Sequence, residues 1–146
     1  MALKILKVIW SFSLLGMVAV FMYVYASLPE NVVVSENSRT ITLSKETLFY
    51  IALVLIAVSN ALVFAVSRIY PEKEEDFKAW FYGLVACANL FFVIGLSFIS
   101  LYNSNEKYDF GRLGVIIYGS LGLLLVWATS WPLYRVVKNF LGKQPV

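Results

Sequence analysis

Four long apolar stretches leave this chain little freedom in what it can become. They run over about residues 8–28, 47–67, 79–102 and 113–134, and at a rise of ~1.5 Å per residue each is long enough to cross the ~30 Å hydrocarbon core of a bilayer. With 60% hydrophobic and 14% charged residues, a water-soluble fold would have almost no polar surface with which to cover its apolar area. The expected architecture is all-α: one membrane domain over residues 1–146, a four-transmembrane-helix antiparallel bundle. Spans and short connections use up nearly the whole chain, which leaves no room for a second domain. The net charge of +3 does not point to nucleic acid, because the basic residues sit at span ends, where a membrane protein carries them.

Lys and Arg also orient the spans. Lys4, Lys7, Arg68, Lys73, Lys78, Arg135, Lys138 and Lys143 fall on the side of the chain ends, against Arg39, Lys45, Lys107 and Arg112 opposite. The positive-inside rule then predicts cytoplasmic N and C termini and a multi-pass protein of the cell membrane, read here as a bacterial inner membrane. The first span has a rival reading as a signal peptide, since Val24-Tyr25-Ala26 before Ser27 satisfies the small-residue cleavage rule. Its apolar run exceeds the typical ~7 to 15 residues of such a segment, so an uncleaved span is expected. Tyr23, Tyr25, Phe49, Tyr50 and Tyr102 would mark the outer interface, and Trp80, Tyr82, Trp131 and Tyr134 the inner one.

The connections carry local signals. Pro29 stops the first helix, and Asn31-Val32-Val33-Val34 and Arg39-Thr40-Ile41-Thr42-Leu43 look extended around the turn-forming Ser35-Glu36-Asn37-Ser38. That pattern fits either a small β-hairpin or an extended loop lying on the bundle. Ser44 is placed to N-cap the second span, with Glu46 in its first turn. Pro71 closes that helix, and the acidic run Glu72 to Asp76 opens the third, where Glu74 can meet Lys78 one turn on. Asp109 is the expected cap of the last span, and beyond Pro132 the segment Tyr134 to Leu141 reads as a kinked continuation near the inner leaflet.

Helices in lipid are held together by close packing and interhelical hydrogen bonds, so small and polar residues mark their contacts. The helix-packing candidates are Ala57, Ala61 and Ala65 in the second span, Ala79, Gly83 and Cys87 in the third, and Gly119 and Gly122 in the last. Asn60 and Asn89 lie at similar depths, roughly 12 and 15 Å from the inner boundary at ~1.5 Å per residue, and form the candidate intramembrane polar contact. They are read as structural glue between helices, the alternative being a polar cavity for a small ligand or ion. Ser13, Ser59 and Thr129 can bond their own backbone.

Several chemistries lack their groups. The chain has no His and one Cys, Cys87, which removes bis-His haem ligation, His-based zinc sites, His general bases and any internal disulfide or Cys-x-x-Cys pair. No Asp, Glu, Lys or Arg falls inside a span, so a proton-coupled pump built on a buried carboxylate has no carboxylate to use. Phosphate-binding Gly-rich loops and paired catalytic carboxylates are missing too. A non-enzyme without catalytic residues, metal or cofactor is expected.

The order of a first span, Leu28-Pro29 with a few apolar residues, a turn-rich polar stretch, and Ser44-Lys45 leading straight into a second span resembles the membrane module of SdpI-type proteins. The resemblance covers about the first half of the chain. It implies a bacterial membrane protein of toxin-immunity or signalling type that senses or binds something through Pro29 to Lys45. That module usually carries a His in the polar stretch, where this chain reads Val34-Ser35-Glu36-Asn37. Two functions follow: a non-catalytic accessory subunit or binding protein that acts on a membrane-protein partner or by self-association, or a small oligomeric transporter or channel-like protein with Asn60 and Asn89 lining a polar path.

Overall fold

A computed structural model describes residues 1–35, 41–104, 106 and 109–141. Four helices carry the chain: α1 (Ala2–Ser27), α2 (Lys45–Ile69), α3 (Glu75–Tyr102) and α4 (Phe110–Leu141). Each is long and apolar enough to cross a bilayer, the architecture of a multi-pass membrane protein. Between α1 and α2 stand two short strands, β1 (Asn31–Ser35) and β2 (Ile41–Ser44). They pair antiparallel with Asn31 opposite Ser44, Val32 opposite Leu43 and Val33 opposite Thr42, and the register shifts before Ser35 meets Ile41. The Glu36-Asn37-Ser38 part of the expected turn lies outside the described residues.

The helix ends follow local chemistry. Leu28 is extended (φ −74°, ψ 142°) ahead of Pro29, and Tyr70 is extended (φ −83°, ψ 135°) ahead of Pro71, because a following proline ring disfavours helical backbone. The Ser44 hydroxyl accepts the Thr47 N–H at 3.2 Å, satisfying a donor that the first turn of α2 would leave open. Asp109 does the same for Gly111 at 3.1 Å. Its other oxygen meets Arg112 at 3.3 Å, a solvent-exposed pair of small energetic consequence. Glu74 does not form an ion pair with Lys78. Residues Glu72–Glu74 form a 3-10 turn, and Glu74 itself (φ −99°, ψ 40°) stands outside the helix, so the four-residue spacing no longer stacks the two side chains. Lys78 is buried instead. At the other extreme, α4 runs on through Pro132 to Leu141 as one helix of 32 residues.

α3 is the hub. It packs along α1 on one side and α4 on the other and also touches α2, whereas among the described residues α4 meets no helix except α3. Toward the hairpin end, Met17, Phe21, Val24 and Leu28 join Val32, Ile56 and Leu96 in one buried cluster. Val32 thus plugs the hairpin into the helices, which gives an otherwise marginal two-stranded element a reason to stay folded. Toward the end that carries the chain termini, Val63, Tyr82 and Val85 form a second cluster against Leu6 and Trp10. Tyr82 is buried in this cluster, edge-on to Trp10 with ring centroids 5.4 Å apart.

Candidate functional site

The most polar point inside the spans lies where α1, α2 and α3 converge. Asn60 from α2 and Asn89 from α3 exchange amide hydrogen bonds in both directions: Asn60 Nδ2 donates to Asn89 Oδ1 at 2.9 Å, and Asn89 Nδ2 donates to Asn60 Oδ1 at 3.0 Å. α1 completes the network. The Trp10 indole N–H donates to Asn60 Oδ1 at 2.9 Å, and Asn89 Nδ2 donates to the Ser13 hydroxyl at 3.0 Å. The second Asn60 proton goes to the Ile56 carbonyl at 2.9 Å, and Ser13 donates to the Trp10 carbonyl at 2.7 Å. Asn60 is 5% exposed and Asn89 is 0% exposed. Every amide proton of the pair has a protein acceptor, so the network is closed and needs no water to satisfy it.

A second polar device ties the hairpin to the bundle. Asn103, at the C-terminal end of α3, accepts the Val33 N–H at 2.8 Å and donates to the Val33 carbonyl at 3.0 Å. Its amide thereby imitates a neighbouring strand. The same Nδ2 reaches the Ile99 carbonyl at 2.9 Å, anchoring the clamp to the last turn of α3. Replacing Asn103 with leucine removes two bonds to Val33, and at ~1 kcal/mol per hydrogen bond the Val33 amide should exchange with solvent roughly fivefold faster or more. Hydrogen-exchange mass spectrometry of the hairpin peptide reads this directly; unchanged protection would show that the clamp does not hold the strand.

The third device is the seam between α3 and α4. The Trp80 indole N–H donates to the Trp127 carbonyl at 2.8 Å, and the Trp127 indole N–H donates to the Trp80 carbonyl at 2.9 Å. The Trp127 ring lies over Gly83, where a Cβ would collide with it. Ala79 and Gly83 are buried and Cys87 is partly buried. The other small residues behave differently. Ala57 and Ala61 are exposed and Ala65 is half-buried, because α2 turns Ile56, Asn60 and Val63 inward instead. Nothing lies within 4 Å of the Cβ positions of Gly119 or Gly122, and the inward face of α4 runs instead through Ser120, Trp127 and Trp131, with Ser120 buried.

Trp10, Asn103 and the Trp80–Trp127 exchange are absent from the candidates drawn from sequence. For the tryptophans the available signal was an indole donor inside a span, which must find an acceptor in lipid. Ser59 and Thr129 bond the carbonyls one turn back, as their residue types allow. Among the described residues no group of three or more His, Cys, Asp or Glu side chains is arranged to hold a metal. Comparison with models of known protein families, with curated proteins and with solved structures finds nothing that matches this chain.

Proposed function

We propose that this is a non-catalytic integral membrane protein of accessory, binding or immunity type, which works by presenting helix surfaces and its hairpin to another membrane protein or to a second copy of itself. The observation that carries this reading is the closed network of Asn60, Asn89, Trp10 and Ser13. Polar groups at bilayer depth often mark a transport path, but here their donors are committed to holding three helices together. The surfaces left for recognition are outward: the hairpin, fixed by Asn103, and the faces of α2 and α4 that other helices of the chain leave uncovered. The distribution of Lys and Arg supports cytoplasmic chain ends, which puts the hairpin on the outer face of a bacterial inner membrane. The SdpI-like order of Leu28-Pro29, hairpin and Ser44-Lys45 directs attention to that same segment.

Purification in mild detergent followed by native mass spectrometry tests the proposal. The expected species is a stoichiometric complex, with a membrane partner or as a homo-oligomer, that passes no ions or small solutes when reconstituted in liposomes. Flux through reconstituted protein that disappears in Asn60→Ala, with assembly intact, would overturn the proposal in favour of a channel-like protein.

A further inference from the structure

Where α4 leaves the bilayer on the side of the chain ends, it and the start of α3 enclose a groove of about 440 Å³, within the ~300–1,000 Å³ of small-ligand sites. The two banks differ in charge. The bank formed by the 3-10 turn and the first residues of α3 presents Glu74 and Asp76 with Lys73 beside them, and the α4 bank presents Arg135 and Lys138. No ion pair joins the banks, so opposite charges face one another across an open space that neither side closes. The α4 cations are held in position: Arg135 lies 5.7 Å from the Trp131 ring centroid, and Lys138 lies 5.8 Å from that of Tyr134. Trp131 in turn stacks on Trp80 at 6.0 Å, which fixes the floor of the groove to the α3–α4 seam. Interfacial Trp and Tyr of this kind set the depth at the lipid headgroups.

We infer that this groove binds the headgroup of an aminophospholipid, with its phosphate diester on Arg135 and Lys138 and its primary ammonium on Glu74 and Asp76. The separation of charge decides the class. A purely anionic headgroup would face two carboxylates, and a plain cation would face Lys73, Arg135 and Lys138. A zwitterion satisfies both banks. A choline headgroup is disfavoured because a quaternary ammonium seeks aromatic faces, and those of Trp131 and Tyr134 already carry Arg135 and Lys138. A primary ammonium instead donates hydrogen bonds to carboxylates. On the bilayer side of the groove Val126 and Leu133 are exposed, an apolar surface against which acyl chains can lie.

The test is a native mass-spectrometric titration of the full chain in detergent with phosphatidylethanolamine, phosphatidylcholine and phosphatidylglycerol of matched chains, and with soluble O-phosphoethanolamine. Phosphatidylethanolamine should bind roughly tenfold more tightly than either other lipid, the difference between meeting both banks and meeting one. Arg135→Gln with Lys138→Gln should lower binding of all three lipids. Glu74→Gln with Asp76→Asn should abolish the preference over phosphatidylcholine and raise phosphatidylglycerol binding. Arg135, Lys138 and Asp76 are exposed and Glu74 is half-buried, and circular dichroism of each variant checks that helix content is kept. Equal affinity for the three lipids, or tightest binding of phosphatidylglycerol to the wild type, overturns the inference. Binding of O-phosphoethanolamine as tight as that of the lipid overturns it in favour of a soluble ligand.

Discussion

Gly83→Ala should detach α4 from the rest of the molecule. The new methyl group would stand inside van der Waals contact of the Trp127 ring, and that ring cannot swing away without breaking the bond from its indole N–H to the Trp80 carbonyl. Overpacking alone costs ~1–3 kcal/mol, and interhelical hydrogen bonds in a bilayer add ~0.6 kcal/mol each on average. Because α4 meets no other helix among the described residues, no second helix retains it. A cysteine pair engineered across the α3–α4 seam should crosslink in the parent and lose most of that crosslinking in Gly83→Ala. Trp127→Phe, which shortens the ring system, should restore part of it in the double variant. Undiminished crosslinking in Gly83→Ala would mean that the seam is looser than this geometry requires.

Asn89→Asp should be the most damaging substitution in the buried network. Aspartate keeps the shape of asparagine but replaces the Nδ2 donor to Ser13 and Asn60 with an oxygen, so acceptor faces acceptor at 0% exposure. An Asp at the centre of a membrane helix costs ~2.5–3.5 kcal/mol on insertion scales. Asn89→Leu should cost less, about 1–2 kcal/mol, since it deletes hydrogen bonds of modest individual worth. The Asn60→Leu and Asn89→Leu pair should together cost less than the sum of the single changes, because the double variant strands fewer polar atoms in lipid. Reversible unfolding in mixed micelles measures all four. If Asn89→Asp unfolds no more readily than Asn89→Leu, water reaches this position and the dry-network account fails.

These residues also mark how far the chain could be read in advance. The spans were legible because bilayer thickness demands a minimum apolar length. Their ends at Pro29, Ser44, Pro71 and Asp109 were legible because proline and capping side chains act on their own few neighbours. The Asn60–Asn89 contact stood out because polarity is rare at that depth. Which apolar faces touch was not legible. In water an inward face is more hydrophobic than an outward one, but lipid is as apolar as a protein core and erases that contrast. So the Ala57, Ala61 and Ala65 row, like Gly119 and Gly122, reads as contact surface, while within this chain Ala57, Ala61 and Gly119 are exposed and Ala65 and Gly122 are half-buried. Tryptophan misled in the opposite way: Trp80 read as an interface residue although it also bridges two helices. The Glu74–Lys78 spacing failed because a single 3-10 turn changed the phase of the helix start.

The hub position of α3 bears on how the polypeptide is made. When only α1 and α2 have entered the membrane they meet chiefly through long aromatic side chains such as Phe21 and Phe49, stacked at 4.9 Å, and Asn60 has Trp10 but not yet Asn89. Synthesis of the third segment supplies the missing amide, the Ser13 partner and the Asn103 hook in one stroke. A chain in which α1 and α2 have inserted but α3 has not therefore holds an amide proton of Asn60 without its acceptor in the bilayer.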